Sequence, residues 1–161
     1  MAIEATDVNH PKFVGHSDSK YKMMKVQKTT EAEFFFRRMR LLTHNLLQCN
    51  RKGCKGGFPL KVNAAETTFE ESDFNPIFVK AMLSKLEYGA LVETAQSLEV
   101  NLLPPFFDPA KDLEDENFLK AVHATISDFH VVEGSLVCPS CSREFPITKG
   151  IPNMLLTPDE V

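Results

Sequence analysis

The four cysteines of the 161-residue chain form two close pairs, and this spacing constrains the fold more than any other feature. Cys49 and Cys54 flank a loop that contains Gly53, while Cys138 and Cys141 are separated by only two residues. Two short loops that meet in space can offer four thiolates, the ligand set with which structural sites bind Zn²⁺ as a tetrahedron. The sequence therefore predicts a split zinc ribbon whose halves lie far apart along the chain.

Other uses of paired cysteines fit less well. Disulfides are typical of exported chains, but the N-terminus carries Glu4 and Asp7 where a signal peptide has an apolar run. A redox Cys-x-x-Cys opens a helix in thioredoxin-like units, whereas Cys138 lies between strand-like segments. His44 is near enough to Cys49 to replace it as a ligand, although a histidine among leucines is more typical of a hydrogen-bonded structural residue. Structural zinc is the preferred interpretation, and four separate reduced thiols remain the alternative.

Charge and hydropathy restrict the possible partners. The formal net charge is −4, which divides into +2 for residues 1–38 and −6 for residues 39–161. An acidic folded region is a poor direct ligand for nucleic acid, because Lys and Arg contacts to phosphates supply most non-specific affinity. No apolar run is long enough to span a membrane, so no membrane partner is expected. Reduced cysteines without an export signal predict a location in the cytoplasm and nucleus.

The pattern along the chain predicts an α+β fold. Residues 1 to about 29 are polar and without periodicity, and we expect residues 1–38 to be an N-terminal extension that is disordered or not native. Residues 39–62 and 130–161 are predicted to form a discontinuous zinc-ribbon domain with a small antiparallel sheet built from both chain ends. Residues 63–129 are predicted to form a helical insert of about three helices. The metal would then hold the two halves of a thin-cored module together.

Individual elements follow from local signals. Asn75-Pro76 predicts a helix start with Asn75 as the N-cap. A second apolar stripe runs from Tyr88 to Leu98 and is separated from the first stripe by a break at Gly89. A third helix is predicted to begin at about Glu114. Strand alternation is present in residues 58–62. The pattern of residues 130–137 predicts a hairpin with a turn at Glu133-Gly134.

Three motifs together resemble one protein family. They are Met-Arg-Leu-Leu-Thr-His-Asn-Leu-Leu at residues 39–47, Gly-Phe-Pro-Leu at residues 57–60, and Phe-Pro-Ile-x-x-Gly-Ile-Pro-Asn-Met-Leu-Leu at residues 145–156. They are similar to the multifunctional methyltransferase subunit family, and the similarity covers residues 39–161. The resemblance implies a zinc ribbon with a helical insert and a structural Zn²⁺. It also implies a non-catalytic subunit that activates and stabilises several S-adenosylmethionine-dependent methyltransferases, which modify tRNA, rRNA and a translation termination factor.

The resemblance further implies heterodimers with class I methyltransferases, so that RNA is reached only through the partner. An apolar segment near the C-terminus, with Pro152 and Pro158, is unsuited to a central strand and is suited to packing in the core or against a partner. We therefore predict a partner-binding surface from the first and last motifs: Leu42, Thr43, Asn45, Leu46, Phe145, Ile147, Ile151, Pro152, Asn153, Met154, Leu155 and Leu156.

The sequence contains no pattern typical of a catalytic site. No Gly-rich phosphate loop, Ser-His-Asp pattern or S-adenosylmethionine-binding Gly-x-Gly segment stands out, so no enzyme activity is predicted. The alternative function is a free-standing zinc ribbon that binds nucleic acid. Its support is a basic cluster, Arg51, Lys52 and Lys55, beside the first cysteine pair. The net acidity of the folded region argues against it.

Overall fold

An antiparallel sheet built from both ends of the described chain organises the fold. The computed structural model describes residues 38–161, so the predicted N-terminal extension lies outside the described residues except for Arg38. Within this range the strands are β1 (Met39–Arg40), β2 (Lys61–Phe69), β3 (Phe129–Val137), β4 (Glu144–Thr148) and β5 (Ile151–Pro152). The predicted α+β class and the sheet from both chain ends are confirmed.

The long strand β3 lies at the centre of the sheet. One of its edges pairs with β2 over the whole length of that strand, and its other edge is shared by β1 and β4. The short strand β5 then pairs with the far edge of β4. Leu136 of β3 is the register partner of both Val62 and Phe145, which brings the two predicted halves of the ribbon side by side.

The predicted hairpin in residues 130–137 is wrong, because these residues belong to the single strand β3. Gly134, at the predicted turn, instead lies at a register shift opposite Ala64. It has a φ of +152°, and a Cβ at this position would lie 2.2 Å from the carbonyl oxygen of Asn63. A glycine at a bulge allows the backbones of two strands to approach closely, which here replaces the reversal that a turn would give.

Strand β2 is longer than the predicted strand and lies further along the chain. It begins at Lys61 and continues to Phe69, so the predicted boundary between residues 62 and 63 cuts through it. All of its residues are exposed or half-buried, so the strand carries no run of buried apolar side chains. Thr67 and Thr68 are β-branched residues that favour strands without giving an apolar signal.

The helices follow the predicted starts closely. They are α1 (Leu41–Leu46), α2 (Pro76–Leu83), α3 (Tyr88–Ser97), α4 (Pro109–Asp112) and α5 (Glu116–His123), and α5 continues into a π-helical turn at Ala124–Asp128. The Asn75 side chain accepts a hydrogen bond of 3.0 Å from the backbone N–H of Phe78, as an N-cap does. Gly89 lies inside α3, so the break between the second and third helices occurs at residues 84–87 instead.

One hydrophobic core joins the helices to the sheet. Its fully buried members include Leu41 of α1, Val79 of α2, Leu91 of α3, Val122 of α5 and Leu136 of β3. Burial of side chains of this size contributes roughly 1.5–3 kcal/mol each. The four cysteines pack against the same core, so the metal loops are supported by the rest of the fold.

Candidate metal centre and partner-binding surface

The four cysteines converge on a single point. Their Sγ atoms all lie within 4.8 Å of one another. The Sγ atoms of Cys49 and Cys141 are 3.7 Å apart, and those of Cys54 and Cys138 are 3.6 Å apart. A disulfide requires a separation of about 2.05 Å, and all four thiols are free. Sulfurs at the corners of a tetrahedron with bonds of about 2.3 Å to a central metal are about 3.8 Å apart, so the cluster fits a tetrahedral metal site.

Each pair lies on a loop that its own backbone hydrogen bonds fix. In the first loop the N–H of Cys49 donates to the carbonyl of Gly57 at 2.9 Å, and Gly53 takes a positive φ of 76°. In the second loop the N–H of Cys138 donates to the carbonyl of Arg143 at 2.9 Å. The Ser140 hydroxyl donates to the carbonyl of Lys55 at 2.7 Å and so joins the two loops directly. The sulfurs are therefore held close together by contacts among protein groups.

The thiols differ in how readily they lose a proton. Loss of hydration is the largest cause, and hydrogen bonds to the neighbouring sulfurs a smaller one, of a rise in the pKa of Cys49 to about 12. A backbone hydrogen bond from Arg143 lowers the pKa of Cys141 to about 6. Four thiolates so close together repel one another, so a divalent cation is the group that would allow all of them to ionise. The donor set, four sulfurs with no open corner, is that of a closed structural site.

His44 is not part of this cluster. Its side chain is fully buried, and its Nε2 lies 2.7 Å from the carbonyl oxygen of Leu60. Burial lowers the pKa of His44, so the neutral ring that donates from Nε2 is favoured. The prediction that it is a hydrogen-bonded structural residue is confirmed.

A turn at the C-terminus connects both cysteine loops, and sequence reasoning missed it. We call residues Thr157–Glu160 the C-terminal clasp. The Glu160 carboxylate accepts from the Thr157 N–H at 3.1 Å and pairs with Arg143 of the second loop at 3.0 Å. The carbonyl of Glu160 accepts from the N–H of Lys52, in the first loop, at 3.1 Å. The pattern Thr-x-x-Glu is a known capping signal and could have identified this turn.

The predicted partner-binding residues fall into three groups by burial. The exposed members are Thr43, Leu46, Ile151, Asn153 and Leu155. The half-buried members are Leu42, Pro152, Met154 and Leu156, and the buried members are Asn45, Phe145 and Ile147. Leu46, Ile151 and Leu155 are 60 %, 54 % and 78 % exposed, which is high for apolar side chains. We call these three residues the exposed apolar set.

Three of the predicted partner-binding residues have side chains that face inward in this fold. Phe145 and Ile147 alternate with exposed residues along β4 and point into the core. The Asn45 amide donates to the carbonyl of Glu87 at 3.1 Å and accepts from its N–H at 3.0 Å, so it ties α1 to the start of α3. In the chain without a partner these three side chains are buried, and their role in partner binding stays a prediction.

A serine, a histidine and an aspartate do meet at the end of the insert, but not as a catalytic triad. The Ser72 hydroxyl lies 3.1 Å from Nε2 of His123 and 2.6 Å from Oδ1 of Asp128. Oδ1 of Asp128 also lies 3.4 Å from the same Nε2, whereas Nδ1 of His123 has no partner among the described residues. A triad needs the carboxylate on the nitrogen opposite the serine. The group joins residues 70–72 to the end of α5.

Comparisons with known proteins agree with this architecture. The family model described as Trm112p-like protein matches residues 40–150. The multifunctional methyltransferase subunit TRM112 homolog A of Arabidopsis thaliana is 50 % identical over 124 residues, which cover 76 % of this chain and 100 % of that protein. The TRM112-like protein of Mus musculus is 44 % identical over 76 % of this chain and 98 % of its own length.

More distant similarity reaches a fungal protein and a solved complex. The multifunctional methyltransferase subunit TRM112 of Saccharomyces cerevisiae is 30 % identical over 74 % of this chain and 98 % of that protein. The complex of Mtq2 and Trm112 from E. cuniculi, responsible for methylation of the eRF1 translation termination factor, contains a chain with a TM-score of 0.41 and 20 % identity. That match covers 73 % of this chain and 95 % of the other. From the family match and the near-complete coverage of its relatives, the chain belongs to the Trm112p-like protein family.

Proposed function

We propose that this chain is a non-catalytic subunit that activates and stabilises several class I S-adenosylmethionine-dependent methyltransferases as heterodimers. The observation that carries the proposal is the match with relatives that are named multifunctional methyltransferase subunits, over 98–100 % of their length. Within residues 38–161 the one Ser-His-Asp cluster has the wrong geometry for catalysis, which agrees with a role in binding. No helix in this range is long and apolar enough to cross a membrane.

The exposed apolar set supports the proposal that this chain binds a protein partner. Leu46 lies at the end of α1, Ile151 lies in β5, and Leu155 lies in the segment that follows β5. Among the described residues β5 pairs only with β4, so its other edge can accept a strand from a partner. Backbone hydrogen bonds at a sheet edge supply affinity, and flanking apolar side chains supply fit. Unbranched Met154, half-buried below this surface, packs adaptably, which suits a subunit with several partners.

We further propose that the metal is Zn²⁺ and that its role is structural. Tetrahedral sulfur ligation without an open position favours zinc, which has no geometric preference of its own from d-electrons. The substrates of the partners are proposed to be tRNA, rRNA and a translation termination factor, in the cytoplasm and nucleus. The acidic net charge favours access to RNA through the catalytic subunit.

Co-expression with candidate methyltransferases tests the proposal. Wild-type chain is expected to raise the soluble yield and the methyl transfer of its catalytic partners, whereas Leu155→Asp is expected to weaken both at least tenfold. Val161→Asp is the matched control, because Val161 is also exposed, at 69 %, but lies outside the predicted surface. If no methyltransferase gains solubility or activity from the wild-type chain, the proposal fails.

The second candidate function, a free-standing nucleic-acid-binding ribbon, rests on Arg51, Lys52 and Lys55, all of which are exposed on the first cysteine loop. Its test is RNA binding by the isolated chain as a function of salt. Micromolar affinity with a steep salt dependence would favour this function over the subunit role.

A further inference from the structure

A loop in the helical insert presents one phenylalanine almost entirely to solvent. Phe106 is 85 % exposed, more than any other large apolar side chain among the described residues. It follows Pro104-Pro105, which restricts the backbone in front of it. An exposed aromatic ring loses the free energy that burial would give, roughly 1.5–3 kcal/mol, so its position calls for an explanation.

The loop that carries Phe106 is rigidly anchored on both sides. Before it, the Tyr88 hydroxyl donates to the carbonyl of Pro104 at 2.8 Å. After it, the ring of Phe107 stacks on Phe118 with centroids 5.5 Å apart and an interplanar angle of 4°, and it also contacts Tyr88 at 5.3 Å. Because its neighbours are fixed, Phe106 is presented in a defined position. A preorganised side chain of this kind loses little conformational entropy on binding.

The surroundings of Phe106 are strongly acidic. Residues 104–116 contain five acidic side chains and one lysine, a net charge of −4. Asp112 is close enough to Tyr88 to contribute, after burial, to the rise of the tyrosine pKa to about 12. The insert as a whole, residues 63–129, carries 13 acidic and four basic residues. A complementary surface is therefore an apolar pocket with a rim of Lys and Arg.

The loop is also connected to the proposed partner-binding surface. Asn45, next to exposed Leu46 in α1, is hydrogen-bonded to the backbone of Glu87. Tyr88 follows Glu87 and holds Pro104. Two consecutive residues, Glu87 and Tyr88, thus connect α1 to the loop that carries Phe106.

We propose that Phe106 is a second anchor for the catalytic methyltransferase subunit, and that it enters an apolar pocket rimmed by basic side chains on that partner. This inference rests on the proposed function. It assigns a contact in the helical insert, whereas the predicted surface comes only from the two ends of the fold. The ring supplies the buried area, and the acidic loop orients the partner during association.

The test measures dissociation constants of purified heterodimers formed by the full chain and each methyltransferase with which it co-purifies. Phe106→Ser is expected to weaken binding at least tenfold, and Phe106→Leu by less. Ile77→Ser is the matched control, because Ile77 is 80 % exposed but lies on α2, and it is expected to leave binding unchanged. Circular dichroism checks that each variant is folded.

The contribution of the acidic loop to the association rate is tested with a separate pair of variants. Asp112→Asn keeps an oxygen that can accept from the N–H of Asp108 but removes one charge near Phe106, and it is expected to slow association at low salt. Glu93→Gln removes the same charge from the exposed face of α3 and is expected to have a smaller effect. If wild-type chain forms heterodimers and Phe106→Ser binds as tightly, this inference is overturned and the subunit function stands. If wild-type chain binds no methyltransferase, both are overturned.

Discussion

The buried side-chain amide of Asn45 connects α1 to the start of α3. Its side chain makes two hydrogen bonds with the backbone of Glu87, and it is 3 % exposed. We expect Asn45→Ala to lower the free energy of unfolding by about 1–3 kcal/mol, because the Glu87 N–H loses its partner and the Glu87 carbonyl keeps only the N–H of Leu91. Urea unfolding followed by circular dichroism measures the change. Thr43→Ala, at an exposed position of the same helix, is expected to change it by less than about 0.5 kcal/mol.

Cys138 is the most buried of the four thiols, at 1 % exposed. We expect Cys138→Ser to reduce the zinc content from about one ion per chain to near zero and to destabilise the fold, because a closed site needs all four ligands. Atomic absorption of the purified chain measures the metal. Ser140→Ala, in the same loop, removes only a hydrogen bond and is expected to retain zinc. Full zinc content in Cys138→Ser would contradict the assignment. Partner activation is expected to fall only as a consequence of the lost fold.

At the scale of elements, the pairing of β2 with β3 depends on Gly134. A methyl group there would meet the Asn63 carbonyl, so Gly134→Ala is expected to lower the free energy of unfolding by about 2–3 kcal/mol. Gly89 offers the opposite case, because it lies in α3, where an added methyl group would have nothing within 4 Å. Gly89→Ala is expected to stabilise by roughly 0.5–1 kcal/mol. Chemical denaturation measures the free energy of unfolding of both variants. Equal changes in Gly134→Ala and Gly89→Ala would contradict the role of Gly134 in strand pairing.

Some elements could be predicted from the sequence because their signals are local. Asn75-Pro76 identifies the start of α2 by chemistry that needs no tertiary contact. The prediction for Gly134 is wrong because a glycine in a turn and a glycine at a bulge look alike until the opposing strand is known. The second half of β2 could not be predicted for a related reason: its pairing with β3 joins residues 60 or more positions apart and leaves no apolar alternation.

The candidate site also has some features that could be predicted from the sequence and others that could not. The cluster of four cysteines could be predicted, because residues that can bind one metal ion occur at a characteristic spacing in the sequence. The burial of Phe145 and Ile147 could not be predicted, because apolar residues look the same in the sequence whether they face the core or the surface. The tertiary contacts of the C-terminal clasp could not be predicted, because Glu160 binds residues of both cysteine loops that only the folded chain brings together.

At the scale of the whole molecule, the C-terminal clasp makes the connection between the two cysteine loops sensitive to acid. Hydrogen bonding to the backbone N–H of Thr157, and then the Thr157 hydroxyl and the charges of Arg143 and Arg51, lower the pKa of Glu160. A lowered pKa in the folded state means that the stabilisation is complete above the ordinary glutamate pKa of about 4.3 and is lost as the pH falls through the folded value.

We therefore expect the Lys52 amide, which donates to the Glu160 carbonyl, to exchange faster below about pH 4 than the general trend for the protein predicts. Hydrogen exchange followed by NMR from about pH 6 down to about pH 3 measures this. Glu160→Gln keeps an acceptor oxygen but cannot titrate, so its Lys52 amide is expected to lose the extra pH dependence. The same pH dependence in both proteins would contradict the role of the carboxylate.

The distance in sequence between the paired sulfurs also sets the order of events during synthesis. Cys54 and Cys138, whose sulfurs lie 3.6 Å apart, are separated by 84 positions. At roughly 5–20 residues per second, the ribosome needs on the order of 10 s to add the second cysteine loop after the first. The first loop therefore leaves the exit tunnel with two unprotected thiols and no partner strand. Early metal supply cannot shorten this interval, because the missing ligands have yet to be translated.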